Sequence, residues 1–138
     1  MRGEDAKGKG HGLNVLVTGG AGYIGARLVP MLLADGHKVT VMDTRWFGNG
    51  DLPENDSLEI PWSGDIRSLG LDVYGAFKGK DAVIHLASLS NNAMCELNPM
   101  LEHQVNREAF KSVVYAAKAS GVSRFIYASS VAAYGSSD

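Results

Sequence analysis

Apolar positions along this chain fall into two kinds of run, and the two kinds alternate. Leu13-Asn14-Val15-Leu16-Val17, Lys38-Val39-Thr40-Val41-Met42, Asp81-Ala82-Val83-Ile84-His85-Leu86 and Arg124-Phe125-Ile126-Tyr127-Ala128 are short and nearly unbroken, as strands covered on both faces are. Between them the spacing changes. Ile24, Leu28, Met31 and Leu32 recur at helical intervals up to the stop signal Asp35-Gly36. Val105, Ala109, Val113 and Ala116 share one face of the longest helix, which Asn98 caps, Pro99 opens and Gly121 ends. Two segments read more weakly: a strand over Ser57 to Trp62, interrupted by Pro61, and a short helix over Leu69 to Lys78 that holds Gly70 and Gly75. Thr44 to Asn55 reads as a loop carrying Trp46 and Phe47. Pro30 predicts a kink in the first helix, because its missing N–H removes a bond to Ala26 at a cost of about 3 kcal/mol.

Strands alternating with helices over short connections predict a parallel sheet covered on both faces. Right-handed crossovers then make it doubly wound, so the fold class is α/β. Five strands are readable.

Size and charge narrow the partners. The 138 residues are enough for one domain with a real core, and 45% apolar with 20% charged residues is ordinary for a globular protein. A net charge of −2 without a basic stripe argues against nucleic acid, and no apolar run approaches a membrane span. Residues 1–12, MRGEDAKGKGHG, are polar and glycine-rich and read as a disordered leader without the apolar centre of a secretion signal, leaving 13–138 as the domain. Cys95 is the only cysteine, so no disulfide can form within the chain, and a reducing, cytoplasmic location is expected. His11, His37, His85 and His103 show no metal-ligand spacing, and no metal is expected.

Chemistry enters at Thr18-Gly19-Gly20-Ala21-Gly22-Tyr23-Ile24-Gly25, which joins the first strand to the first helix. Strand, glycine turn and helix in that order make a diphosphate site. Gly19 permits the tight turn, Gly22 lets the backbone approach the phosphates, and Gly25 lets helix and strand pack closely. The helix amides and the positive end of its dipole face the anion. The second strand ends in Asp43, 24 positions after Gly19 and near the roughly 20 expected of the acid that binds the adenosine ribose. A carboxylate there accepts ribose hydroxyls and repels a 2′-phosphate, which favours NAD over NADP. Arg45, two residues on, is the one feature that could accept such a phosphate.

Taken together, these residues resemble the extended short-chain dehydrogenase/reductase superfamily, specifically its NAD-dependent nucleotide-sugar epimerases and dehydratases. The resemblance runs from about Leu13 to Gly135 and rests on Thr18 to Gly25, Asp43, Gly64-Asp65-Ile66, His85-Leu86-Ala87, Val105-Asn106, and Ser129-Ser130 to Tyr134-Gly135. It implies a Rossmann-type sheet, here incomplete on the carboxyl-terminal side by two strands. It implies cofactor contacts from Gly19, Gly22, Tyr23, Ile24 and Gly25, and from Asp65 and Ile66 at the adenine. Leu86 and Ala87 would pass beneath the ribose and phosphates, and Ala128 and Ser129 would close that edge. Asn106 would support the site through backbone and water contacts, and Ser130 would hydrogen-bond the reacting oxygen of the substrate. His85 is expected to be buried and hydrogen-bonded rather than catalytic.

The resemblance also implies a catalytic Tyr-x-x-x-Lys on the helix after the serine strand. Here the sequence ends at Asp138, before such a helix. Tyr74 and Lys78 have the spacing but precede the fourth strand, and read as a surface coincidence. The expectation is therefore the cofactor half of an enzyme whose full-length form takes a nucleotide sugar. The alternative is a dinucleotide-binding or redox-sensing module without chemistry. The last strand, left at the sheet edge, predicts self-association or a homodimer.

Overall fold

The structure is a computed structural model that describes residues 12–61, 64–68, 71–90 and 92–130. Its centre is one parallel sheet of five strands, β1 (Asn14–Thr18), β2 (Lys38–Met42), β3 (Leu58–Glu59), β4 (Ala82–His85) and β5 (Arg124–Tyr127), in the order β3-β2-β1-β4-β5. β1 pairs with β2 from Asn14↔Lys38 to Thr18↔Met42 and with β4 from Val15↔Ala82 to Thr18↔His85. β4 in turn pairs with β5 up to His85↔Tyr127. The order in which the chain adds strands reverses between β1 and β4, so the crevice for a ligand lies beyond their carboxyl ends.

The unbroken apolar runs arise because successive side chains of β1 enter different cores. Val15 and Val17 pack with Val39, Val41 and Val29 of α1 (Gly25–Ala34). Leu16 faces the other way, with Val83, Phe77 of α2 (Leu71–Phe77), and Val113, Ala116 and Ala117 of α5 (Phe110–Ala119). A period-2 strand with both faces apolar can only sit inside such a three-layer arrangement.

Both long helices stop as their glycines predict. At α1, Gly36 at φ 84° lets its own N–H reach Leu33 O and the His37 N–H reach Leu32 O, both at 3.0 Å. Gly121 at φ 76° closes α5 in the same way, with Val122 N–H on Ala117 O at 3.0 Å. These are Schellman closures, which satisfy the last carbonyls of the helix.

Several expectations shift. α1 runs unbroken through Pro30 from Gly25 to Ala34. Packing of Val29 and its neighbours holds the turn that the proline weakens. The weak strand shrinks to the two residues of β3, with Trp62 outside the described residues, and α2 begins at Leu71, with Leu69 and Gly70 outside them. The long helix opened by Asn98 proves to be three consecutive pieces: α4 (Pro99–His103), a π-helical segment (Gln104–Ala109) and α5. Asn98 caps it, its Oδ1 accepting from the Leu101 amide at 3.0 Å. A further short helix, α3 (Asn92–Leu97), lies where no element was expected.

Candidate functional site

The site is built from the carboxyl ends of the first four strands. Gly19 leaves β1 at φ 75°, a conformation that side chains strain against, and its missing Cβ makes room for a neighbouring loop. An added Cβ would lie 2.6 Å from the Ala87 amide nitrogen. A Cβ at Gly25 would lie 2.5 Å from Gly20 Cα, so the third glycine seats the helix against the turn itself. Gly22 has open space apart from Gly19 O at 3.3 Å. The turn is tied down by Gly19 N–H on Met42 O at 2.8 Å and Gly22 N–H on Gly19 O at 3.2 Å. The Ala26 N–H donates to Gly22 O at 2.9 Å, where the helix begins. The amides of Tyr23 and Ile24 donate to no backbone oxygen among the described residues and so face the crevice side of the helix start.

Asp43 stands at the end of β2, over this turn. Its Oδ2 accepts the Ala21 N–H at 3.0 Å and its Oδ1 accepts the Arg45 N–H at 2.7 Å. The carboxylate thus locks the glycine turn to its own loop and keeps further lone pairs for a ligand. Gly64 permits the approach of the next segment, since a Cβ there would collide with the Asp43 backbone. Asp65 and Ile66 come next. Asp65 is forked by Arg67, with Nε at 3.0 and 3.1 Å and Nη2 at 2.6 Å. That hydrogen-bonded guanidinium holds the Asp65 carboxyl below the usual carboxylate range.

One cleft gathers Gly19, Gly22, Asp43, Asp65, Ile66, Leu86 and Ala87 of the expected residues. It also gathers Trp46, Arg67 and Leu89, which sequence reasoning did not assign to the site. The other expected residues border it differently. Tyr23 and Ile24 are adjacent in the helix start but their side chains are exposed, Tyr23 almost completely. Asn106 lies behind the cleft wall: its Oδ1 accepts the Leu89 N–H and its Nδ2 donates to Leu89 O, both at 2.9 Å. It therefore positions the loop after β4 without lining the cleft. Ala128, Ser129 and Ser130 come after β5, are exposed and lie outside the cleft lining, although the Ala128 N–H still reaches His85 O at 3.2 Å. Tyr134, Gly135 and Asp138 lie outside the described residues.

His85 is buried, as its place in the strand predicted. Its Nδ1 shares a hydrogen bond with Thr18 Oγ1 at 2.6 Å, and Phe110, Phe125 and Tyr127 surround its ring. Burial pushes its pKa down to about 4, so the ring is neutral near pH 7. Cys95 is packed, with its Sγ 3.5 Å from Leu89 O. Tyr74 of the coincidental Tyr74/Lys78 pair is partly buried against the core and away from the cleft. Among the described residues no cluster of side chains could hold a metal, and no helix is long and apolar enough to cross a membrane.

These features fit a dinucleotide. Missing Cβ atoms open the turn, amides at the helix start face outward, and a carboxylate stands where a ribose would lie. Residues 15–138 match the NAD dependent epimerase/dehydratase family. The chain is 37% identical over 120 residues to a 3-beta-hydroxysteroid dehydrogenase of Mycolicibacterium neoaurum, covering 84% of this chain and 31% of that protein. It is 32% identical over 128 residues to UDP-glucose 4-epimerase of Corynebacterium glutamicum, covering 91% and 37%. Among solved structures, MoeE5 in complex with UDP-glucuronic acid and NAD superposes with a TM-score of 0.78 at 34% identity, over 91% of this chain and 39% of that one. The chain thus spans about a third of the length of the curated relatives it matches.

Proposed function

The chain belongs to the NAD-dependent epimerase/dehydratase family, and from that premise we propose that it forms the cofactor-holding part of an enzyme that oxidises and re-reduces a ring carbon of a nucleotide sugar. One observation supports this above the others. The Asp43 carboxylate, anchored by the Ala21 and Arg45 amides, stands over the glycine turn in the cleft that Asp65 and Ile66 also line. Its uncommitted lone pairs suit the two ribose hydroxyls of NAD, and its charge opposes a 2′-phosphate. One charged hydrogen bond contributes roughly 1.5–3 kcal/mol, so NAD should bind at least about tenfold tighter than NADP. Titrating both cofactors into the chain tests this, and tighter NADP binding overturns it.

When bound, NAD supplies the hydride acceptor. The chain's part is to hold it: Gly19 and Gly22 under the diphosphate, Asp43 at the ribose, Leu86 and Ala87 beneath. Ser130, past β5 on the same sheet edge, would meet the reacting oxygen of the substrate. No Tyr-x-x-x-Lys follows Ser130 within the 138 residues. A positioned base contributes typically about 10²–10⁴-fold, so the purified chain should bind NAD yet turn over no UDP-sugar. Product in that assay would refute the assignment of the base to a segment outside these residues.

The similarity to a hydroxysteroid dehydrogenase supports a second reading, in which the alcohol oxidised belongs to a steroid. A thermal shift of the NAD-loaded chain with UDP-glucose favours the first reading, and a shift with a 3β-hydroxysteroid favours the second.

A further inference from the structure

Trp46 and Arg67 come from different loops and meet at the mouth of the cleft. Trp46 lies beyond β2 and Arg67 beyond the Gly64-Asp65-Ile66 segment, and both line the cleft together with Asp43 and Ile66. The Arg67 guanidinium carbon lies 5.5 Å from the centroid of the Trp46 ring. Half of the tryptophan is exposed, so burial alone does not hold it. A guanidinium over an aromatic face does, though weakly at an open site, so the two can part.

The arginine is itself fixed. Its Nε donates to both oxygens of Asp65, its Nη2 to Oδ2, and its backbone N–H to Oδ1 at 2.9 Å. A carboxylate offers about four acceptor sites, and Arg67 fills them. While that fork stands, Asp65 has no lone pair to offer the exocyclic amine of an adenine. What it presents to the cleft is the flat guanidinium it orients. An indole face, a guanidinium plane and the buried side chain of Ile66 are the surfaces on which an uncharged, planar purine stacks.

Building on the dinucleotide reading, we propose that Trp46 and Arg67 form the stacking wall for the purine end of the dinucleotide, with Asp65 acting on the base through Arg67. Arg67 and Asp65 are then positioning residues for that wall, and Trp46 is the contact. A lysine cannot replace the arginine, because an ammonium has neither the fork nor the plane.

The test is calorimetric titration of NAD and of AMP into the full chain, its Trp46→Ala and Trp46→Phe variants, and Arg67→Lys. The expected result is a Kd for both ligands raised about tenfold by Trp46→Ala and restored to within about threefold of the parent by Trp46→Phe. Arg67→Lys should weaken both ligands as well. The adenine H2 and H8 resonances of AMP should move upfield on binding the parent chain and lose that shift with Trp46→Ala, a ring-current signature that a merely structural role would not move. Unchanged affinity and an unchanged upfield shift in Trp46→Ala overturn the proposal while leaving the dinucleotide site intact. A parent chain that binds neither ligand overturns the dinucleotide reading and this proposal with it.

Discussion

Gly19 and Gly22 share one turn, yet they should answer differently to the same substitution. At Gly19 a methyl group meets both a left-handed backbone and the Ala87 amide, 2.6 Å away. Strain of this kind costs on the order of 1–3 kcal/mol before any clash is added, so Gly19→Ala should lower the urea midpoint as well as abolish NAD binding. Gly22 is open towards the crevice. Gly22→Ala should leave the urea midpoint nearly unchanged and weaken NAD alone. His85 adds a pH dependence. Its folded pKa of about 4 lies below the unfolded value near 6.5, so between those values the unfolded chain binds the extra proton. The stability it contributes is complete above pH 6.5 and is lost as pH falls towards 4, by about 3 kcal/mol over the whole window. Melting curves from about pH 7 to 4 should show that decline, and His85→Phe, which keeps a ring among Phe110, Phe125 and Tyr127, should flatten it.

At the scale of elements, the π-helical segment Gln104–Ala109 is the least regular part of the chain and holds Asn106. A π turn adds a residue and rotates the helix beyond it, and such turns concentrate at functional sites. Here Asn106 clamps both backbone groups of Leu89 and also donates from Nδ2 to Glu102 Oε1 at 3.1 Å. Removing it leaves a partly buried amide and carbonyl without partners, at about 1–3 kcal/mol. Asn106→Ala is therefore expected to destabilise the domain by about 2 kcal/mol in urea and to weaken NAD indirectly, through a looser loop after β4. The Asn98 cap offers a control one element away. Its loss should cost about 1 kcal/mol and leave NAD affinity unchanged.

For the whole molecule, the sheet has unlike edges. β3 is two residues long, which blunts it, whereas β5 ends the other side with Ile126 and Tyr127 about half exposed. An edge strand with apolar side chains in water is a template for another strand. Light scattering should show the chain associating as its concentration rises, and Ile126→Lys should suppress that. A monodisperse monomer at high concentration would count against the edge as an association site.

Much of this molecule was legible along the chain. Unbroken apolar runs became β1, β2, β4 and β5, because a strand buried on both faces has no polar positions to spare. Gly36 and Gly121 ended helices where expected, and the spacing from Gly19 to Asp43 placed both in one cleft, since strand ends and turns obey local rules. The remaining features depend on segments distant in sequence. α3 has no apolar periodicity of its own, and the π turn becomes visible only where Val105 and Ala109 must reach the core while Asn106 reaches Leu89. The fork of Arg67 on Asp65 beneath Trp46 joins loops that lie on either side of β3 in the sequence, and no pattern of polar and apolar residues encodes which guanidinium will find which ring. Periodicity determined the layers; the side-chain partnerships at the mouth of the cleft were decided only when the sheet brought its carboxyl ends together.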